Sequence, residues 1–129
     1  MSCIIGIGVD IIEISRFERM AHQEDNGVAS RLFTSYELSE APFVKKAQYF
    51  ASRFAAKEAV MKALGMGMSN IGFEEIEISK DDFGRPHVTL YGNANKRYCE
   101  LGGKNILISI SHSRELAIAY ANLIGDEPR

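Results

Sequence analysis

Three groups of residues in this chain carry side chains able to do chemistry. The first is Asp10, an acid inside the apolar run Cys3 to Ile12, CIIGIGVDII. An ionised carboxylate among aliphatic groups is costly unless it is paired or bound to a metal. Asp10 therefore asks for a cationic partner, or else ends its strand and caps a turn. The second is Glu58 with Lys62, within RFAAKEAVMK from Arg53. At about 100° per residue these two share one helix face. Spacing alone also fits an ordinary i,i+4 salt bridge, worth about 0.3 kcal/mol. The third is Ser109-Ile110-Ser111-His112-Ser113 at a predicted strand end. Hydroxyls and an imidazole at a strand-to-turn junction suit holding a phosphate or polarising a hydroxyl, and a hydrogen-bonded turn histidine fits equally. A serine-histidine-acid triad does not, because adjacent Ser111 and His112 point to opposite faces of a strand and no nucleophile-elbow sequence is present.

These residues must be positioned by the elements around them. Cys3 to Ile12 is rich in β-branched residues and reads as a buried strand. Ser15-x-x-Glu18 has the form of a capping box opening a helix to about Gln23, and Thr34-x-x-Glu37 repeats it at a second short helix closed by Pro42. Val44 to Leu64, free of glycine and proline, is the longest predicted helix, and Gly65-Met66-Gly67 stops it. On that helix Ala55, Ala56, Ala59 and Ala63 form a small-residue stripe that allows close packing on a sheet. Ile76 to Ser79 and His87 to Leu90 read as a hairpin joined by the turn-rich Asp81 to Pro86. A helix from Asn93 to Leu101 and strands Asn105 to Ser111 and Leu116 to Ile124 complete the order β-α-α-α-β-β-α-β-β. Hairpin-linked strands with segregated helices predict an α+β fold with a mainly antiparallel sheet packed against the long helix.

Other features are weaker. Gly6-x-Gly8 lacks the third glycine of a dinucleotide fingerprint, since Ile11 stands in its place, and there is no Walker-type Gly-Lys-Ser/Thr. Gly65-x-Gly67 follows a helix C-terminus, whose dipole repels phosphate. Met61, Met66 and Met68 suit core packing. Cys3 and Cys99 lack metal or redox spacing and read as reduced structural thiols.

Composition bounds the rest. With 129 residues, 46% of them hydrophobic, the chain is predicted to form one domain over 1–129. A formal net charge of −2 gives no global field for nucleic acid, so an anionic partner must be met by a local basic patch. No stretch approaches a membrane span and no signal peptide is evident, so a cytoplasmic protein without membrane partners is expected. The acidic end, Gly125 to Arg129, reads as loose.

Taken in order, GIGVDIIEISR at 6–16, FTxxE at 33–37, RFAAKEAVMKALGMG at 53–67, DxxGxPxxxLxG from Asp81 or Asp82 to Gly92, and SISHS at 109–113 span nearly the whole chain. Together they resemble the holo-acyl-carrier-protein synthases, a 4'-phosphopantetheinyl transferase family. The resemblance implies transfer of 4'-phosphopantetheine from coenzyme A to a serine of apo acyl carrier protein, releasing 3',5'-ADP and supporting fatty acid biosynthesis. It implies that Asp10 and Glu58 hold magnesium against the pyrophosphate, as a hard cation taking one or two carboxylates plus phosphate oxygens would allow. Lys62 would offset charge on the leaving phosphate, and Glu58 or a magnesium-bound water would be the base.

Coenzyme A contacts are expected from Lys46, Arg53, Gly65, Arg85, Pro86, Ser111 and His112, and carrier docking from Arg16 and Arg19 on the first helix. The resemblance also implies a homotrimer with active sites at subunit interfaces. Two competing readings remain: a magnesium-dependent nucleotide pyrophosphate hydrolase, and a noncatalytic coenzyme A or carrier-protein binding module.

Overall fold

The fold is taken from a computed structural model that describes residues 1–22, 27–67 and 70–126. Strand β1 (Ser2–Glu13) runs into a 3-10 turn (Ile14–Phe17) and three short helices: α1 (Glu18–His22), α2 (Val28–Leu32) and α3 (Ser35–Ser39). Helix α4 (Lys46–Leu64) follows, then a 3-10 turn (Phe73–Glu75), the hairpin β2 (Ile76–Lys80) and β3 (Pro86–Leu90), α5 (Gly92–Glu100), β4 (Gly103–His112) and β5 (Leu116–Asp126). The order β1-β5-β4 makes one antiparallel sheet, and β2-β3 pair separately. The expected α+β class holds.

What joins the layers is backbone proximity. On β1 an added Cβ at Gly6 would lie 2.1 Å from Ala63 O, and one at Gly8 would lie 1.9 Å from Ala59 O. The absence of a Cβ at both glycines lets the alanine stripe of α4 rest on the strand itself. Ala55, Ala56, Ala59 and Ala63 are buried there, with Ala117, Ala119, Ala121 and Leu123 of β5 beneath them. Beyond the stripe, Phe17, Phe33, Phe50, Phe54 and Phe73 form a linked aromatic cluster that seats the short helices.

Several local expectations change. The Ser15 capping box does not form: Ile14 N donates to Glu115 O at 2.9 Å, and buried Ile14 and Phe17 face the core three residues apart, which a 3-10 turn allows. The Thr34–Glu37 box does form. Helix α4 starts at Lys46 instead of Val44, because Lys45 adopts φ 60°, ψ 39°. Helix α2 follows Gly27 with no side-chain cap and so left no sequence signal. Gly125 and Asp126, expected in a loose tail, pair with Cys3 and Ser2. Gln23, Met68 and residues 127–129 lie outside the described residues; Met61 is buried in the core and Met66 packs against it.

Candidate active site

Strand alternation decides which side chains of the sheet meet α4. Gly8, Asp10 and Ile12 face the helix, in register with Ala121, Ala119 and Ala117 of β5. Asp10 is thus the polar member of a row otherwise given to close packing. Its carboxylate lies 3.4 Å from Lys62 Nζ and its side chain keeps 19% of its exposure, so it is shielded but not sealed. Lys62 also donates to Val9 O at 2.8 Å, reaching over the open edge of β1. The cation demanded by an acid in an apolar strand is therefore Lys62.

Glu58 sits one helical turn before Lys62 and is half-buried. Burial pushes its carboxyl above the ordinary glutamate value; the charge of Asp10 adds to this, and Lys62 opposes it. A carboxylate whose proton affinity is raised by a neighbouring carboxylate is relieved by a cation between the two. Among the described residues no group of three or more His, Cys, Asp or Glu is arranged to hold a metal. Two carboxylates open to solvent suit magnesium, which completes its shell with water and phosphate oxygens, better than a closed all-protein cage.

A second constellation lies elsewhere. Helix α4 begins without a side-chain cap, leaving its first N–H groups and positive dipole end for an anion. The left-handed Lys45 and the adjacent Lys46 stand at this terminus. A cleft of about 390 Å³ opens beside it, lined by Lys45, Gln48, Arg53, Gly84, Pro86 and His112. It adjoins a larger one of about 940 Å³ that shares Lys45, Gln48 and His112 and includes Lys46. Gln48 Nε2 is 3.2 Å from His112 Nε2, and the Arg53 guanidinium lies 4.2 Å from the centre of the Tyr49 ring. Arg53 Nε is buried and has no hydrogen-bond partner among the described residues, a donor that a phosphate oxygen would satisfy. Tyr49 donates to Glu37 O at 2.6 Å, and burial pushes its phenol up to about 12, so it stays neutral beneath the arginine.

Lys46, Arg53, Pro86 and His112 thus come together as expected, and Lys45, Gln48 and Tyr49 join them. Sequence reasoning missed these three, although the doublet Lys45-Lys46 at the start of the long helix was a readable signal. Three expected contacts stand apart. Ser111 projects from the sheet face opposite His112, with Leu107 and Ile118. Gly65 caps the C-terminus of α4 in the left-handed conformation, beside Arg97. Arg85 is exposed, and its backbone closes the hairpin loop: its N–H donates to Asp81 Oδ1 and its carbonyl accepts from Asp81 N, both at 2.9 Å. Those loop bonds, the one from Arg85 first, hold the Asp81 carboxyl below its ordinary value and make Asp81 the acid that fixes the turn. Arg16 lies in the 3-10 turn and Arg19 in α1, both exposed and three apart, directly after β1.

Among the described residues the two constellations share no cleft within one chain, and Arg53, only five residues before Glu58, lies on another face of α4. Neither cleft is lined by Asp10, Glu58 or Lys62. Asp10 sits on edge strand β1 and His112 on edge strand β4, with β5 between, a span of about 10 Å across the sheet. Lys46 and Glu58 are twelve residues apart on α4, about 18 Å along its axis.

Comparison with known proteins shows the family of the chain. Residues 6–121 match the family model of the 4'-phosphopantetheinyl transferase superfamily. The holo-[acyl-carrier-protein] synthase of Clostridium acetobutylicum is 48% identical over 93% of this chain and 97% of its own. The acyl carrier protein synthase of Plasmodium yoelii with ADP bound superposes with a TM-score of 0.85 at 34% identity, covering 98% of this chain and 99% of that one. A holo-(acyl-carrier-protein) synthase from Bacillus anthracis in complex with CoA (3',5'-ADP) gives 0.77 at 34% identity, covering 95% and 98%. The fold and these matches define a phosphopantetheinyl transferase. Within that superfamily, the chain belongs to the holo-[acyl-carrier-protein] synthases.

Proposed function

We propose that this protein transfers 4'-phosphopantetheine from coenzyme A to a carrier-protein serine in a magnesium-dependent reaction, at sites shared between neighbouring copies of the chain. The observation that carries the reading is the separation of the acid-lysine group from the basic cleft. A pyrophosphate held at one must be completed by the other half from a second copy. An interface is available: Ile7, Val9, Ile11, Leu107, Ile118 and Tyr120 form an apolar sheet face opposite α4, each 39 to 60% exposed. A contiguous patch of this kind is a burial surface. Three copies closing on it would give the trimer that the family resemblance implies, and would set Ser111 beside a neighbour.

In this reading Lys45, Lys46, Arg53 and His112, with the N-terminus of α4, hold the nucleotide phosphates, and Gly84 and Pro86 wall the adenine. The carrier serine oxygen attacks the β-phosphorus, the bond to 3',5'-ADP breaks, and the serine proton passes to Glu58 or to a water beside it. Lys62 offsets charge growing on the departing phosphate. Magnesium, when held by Asp10 and Glu58, would neutralise charge on the pyrophosphate oxygens. Arg16 and Arg19 would receive an acidic carrier beside Asp10. The product is holo carrier protein for fatty acid synthesis in the cytoplasm; no helix of the described residues is long and apolar enough to cross a membrane.

Mass spectrometry of apo acyl carrier protein incubated with the protein, coenzyme A and magnesium tests the reaction. A gain of one phosphopantetheine is expected. Free phosphopantetheine with unmodified carrier would mean a pyrophosphate hydrolase, and neither product would mean a binding module.

A further inference from the structure

Among the described residues, the most deeply buried charges are not in the site described above. Lys57, beside Glu58 in sequence, points the other way, and its Nζ lies 2.6 Å from Glu37 Oε1 with both side chains 0% exposed. The ammonium also donates to Phe73 O at 2.9 Å and Ile76 O at 2.6 Å. Its three protons therefore meet three acceptors. Glu37 is equally filled: Oε1 accepts from Thr34 N at 2.8 Å and Oε2 from Ile78 N at 2.7 Å. Burial lowers the proton affinity of Lys57 and Glu37 opposes this, while three acceptors around one nitrogen require the ammonium form.

The backbone groups that this pair serves are informative. Strand β2 pairs with β3 on one edge, through Glu75, Glu77 and Ser79. Ile76 and Ile78 direct their backbone groups to the other edge, where no strand of the main sheet lies. There Lys57 takes the Ile76 carbonyl and Glu37 takes the Ile78 amide. Two charged side chains, one from α4 and one from α3, stand in for a missing strand. They fix the hairpin to the helix with directional bonds, which apolar contacts of Ile76 and Ile78 alone would not supply. The far end of that hairpin is the loop carrying Gly84 and Pro86, one wall of the basic cleft; the opposite wall is Arg53, on the same helix as Lys57 and one turn before it.

We infer that Lys57 and Glu37 form a positioning clamp that sets the hairpin wall of the nucleotide cleft against Arg53 and His112, and so sets coenzyme A affinity. This rests on the transferase reading. Neither residue touches substrate, so the clamp acts on binding of the nucleotide and not on the acid-lysine group.

The test replaces both charges at once, Lys57→Met with Glu37→Leu, because removing one alone leaves a buried charge and invites unfolding. In folded double variant, the KM for coenzyme A should rise about tenfold, the loss of roughly one charge-assisted contact, with kcat and the KM for carrier unchanged. Calorimetric affinity for 3',5'-ADP should fall in parallel. A purely structural role would lower the active fraction and hence kcat, leaving both KM values alone, and that result overturns the clamp. Hydrogen exchange on the unaltered protein needs no variant to fold. The Ile78 amide, on an unladdered edge, should be as protected as those of Glu77 and Ser79; exchange like an exposed amide also overturns it. A wild-type protein that bound no coenzyme A would sink the transferase reading and with it the effect on affinity, while the Ile78 exchange would still decide whether Lys57 and Glu37 hold the hairpin edge.

Discussion

Replacing Gly8 by alanine should damage the site from beneath without touching a reacting group. The added Cβ would lie 1.9 Å from Ala59 O, 2.9 Å from Ala59 C and 2.9 Å from Ala63 N. All three are helix backbone, so no rotamer change relieves them. Reaching even 3.0 Å from Ala59 O requires a movement of 3.0 − 1.9 = 1.1 Å between strand and helix. Ala59 follows Glu58 directly and Gly8 precedes Asp10 by two residues, so the movement falls on the two carboxylates. Overpacking of this kind costs about 1–3 kcal/mol. For a chain of this size that lowers Tm by roughly 4 °C per kcal/mol, or about 4–12 °C. A displacement near 1 Å at a reacting centre costs on the order of 10²-fold in rate. Carrier loading by Gly8→Ala, with folding checked by circular dichroism, should fall accordingly, while coenzyme A affinity changes little because the N-terminus of α4 with Lys46 lies about 20 Å along the helix from Ala59. Gly67→Ala, whose Cβ would meet nothing within 4 Å, serves as control. Wild-type turnover and Tm in Gly8→Ala would refute the close-packing argument.

Three further outcomes follow from the same geometry. In metal-free protein, carbon NMR of labelled glutamate should show Glu58 titrating above an ordinary glutamate, with Asp10→Asn moving it downward because one of the two raising influences is gone; an unmoved titration would place Asp10 outside its field. Arg16→Glu with Arg19→Glu should raise the KM for carrier and flatten its salt dependence with coenzyme A binding intact, since rim charges act mainly on association; carrier kinetics like wild type at low salt would put docking elsewhere. Ile118→Arg, in the middle of the exposed apolar face, should leave a folded chain that light scattering finds monomeric and that loads no carrier; an active monomer would rule out shared sites.

Residue chemistry singled out Asp10 and the Glu58–Lys62 pair, but only the ordered motifs, through their family resemblance, joined them into one site. Asp10 broke an apolar run, and Glu58 and Lys62 declared a shared face by spacing alone. The alanine stripe announced close packing, and Gly6 and Gly8 supplied its counterpart once β1 was seen beneath it. Illegible were features set by tertiary contact. Nothing in the sequence marks Lys57 as buried, and only the fold shows it sealed against Glu37 and the edge of β2. Ser15-x-x-Glu18 has the pattern of a capping box, yet anchoring of Ile14 to Glu115 imposed a 3-10 turn. Arg85 and Ser111 have suitable chemistry for phosphate, but loop closure and strand alternation turn them from the cleft.

Subunit mixing tests most directly whether the acid-lysine group of one copy works on the nucleotide held by another. Glu58→Ala removes one half-site and Arg53→Ala the other, so each variant alone should fail to load apo carrier protein. When the two are unfolded and refolded together, mixed assemblies contain interfaces that join an intact acid-lysine group to an intact basic cleft. Carrier loading, followed by mass spectrometry, should then reappear in the mixture and in neither parent. A mixture that forms hybrid assemblies yet stays as inactive as its parents would contradict shared sites and return both halves to a single chain.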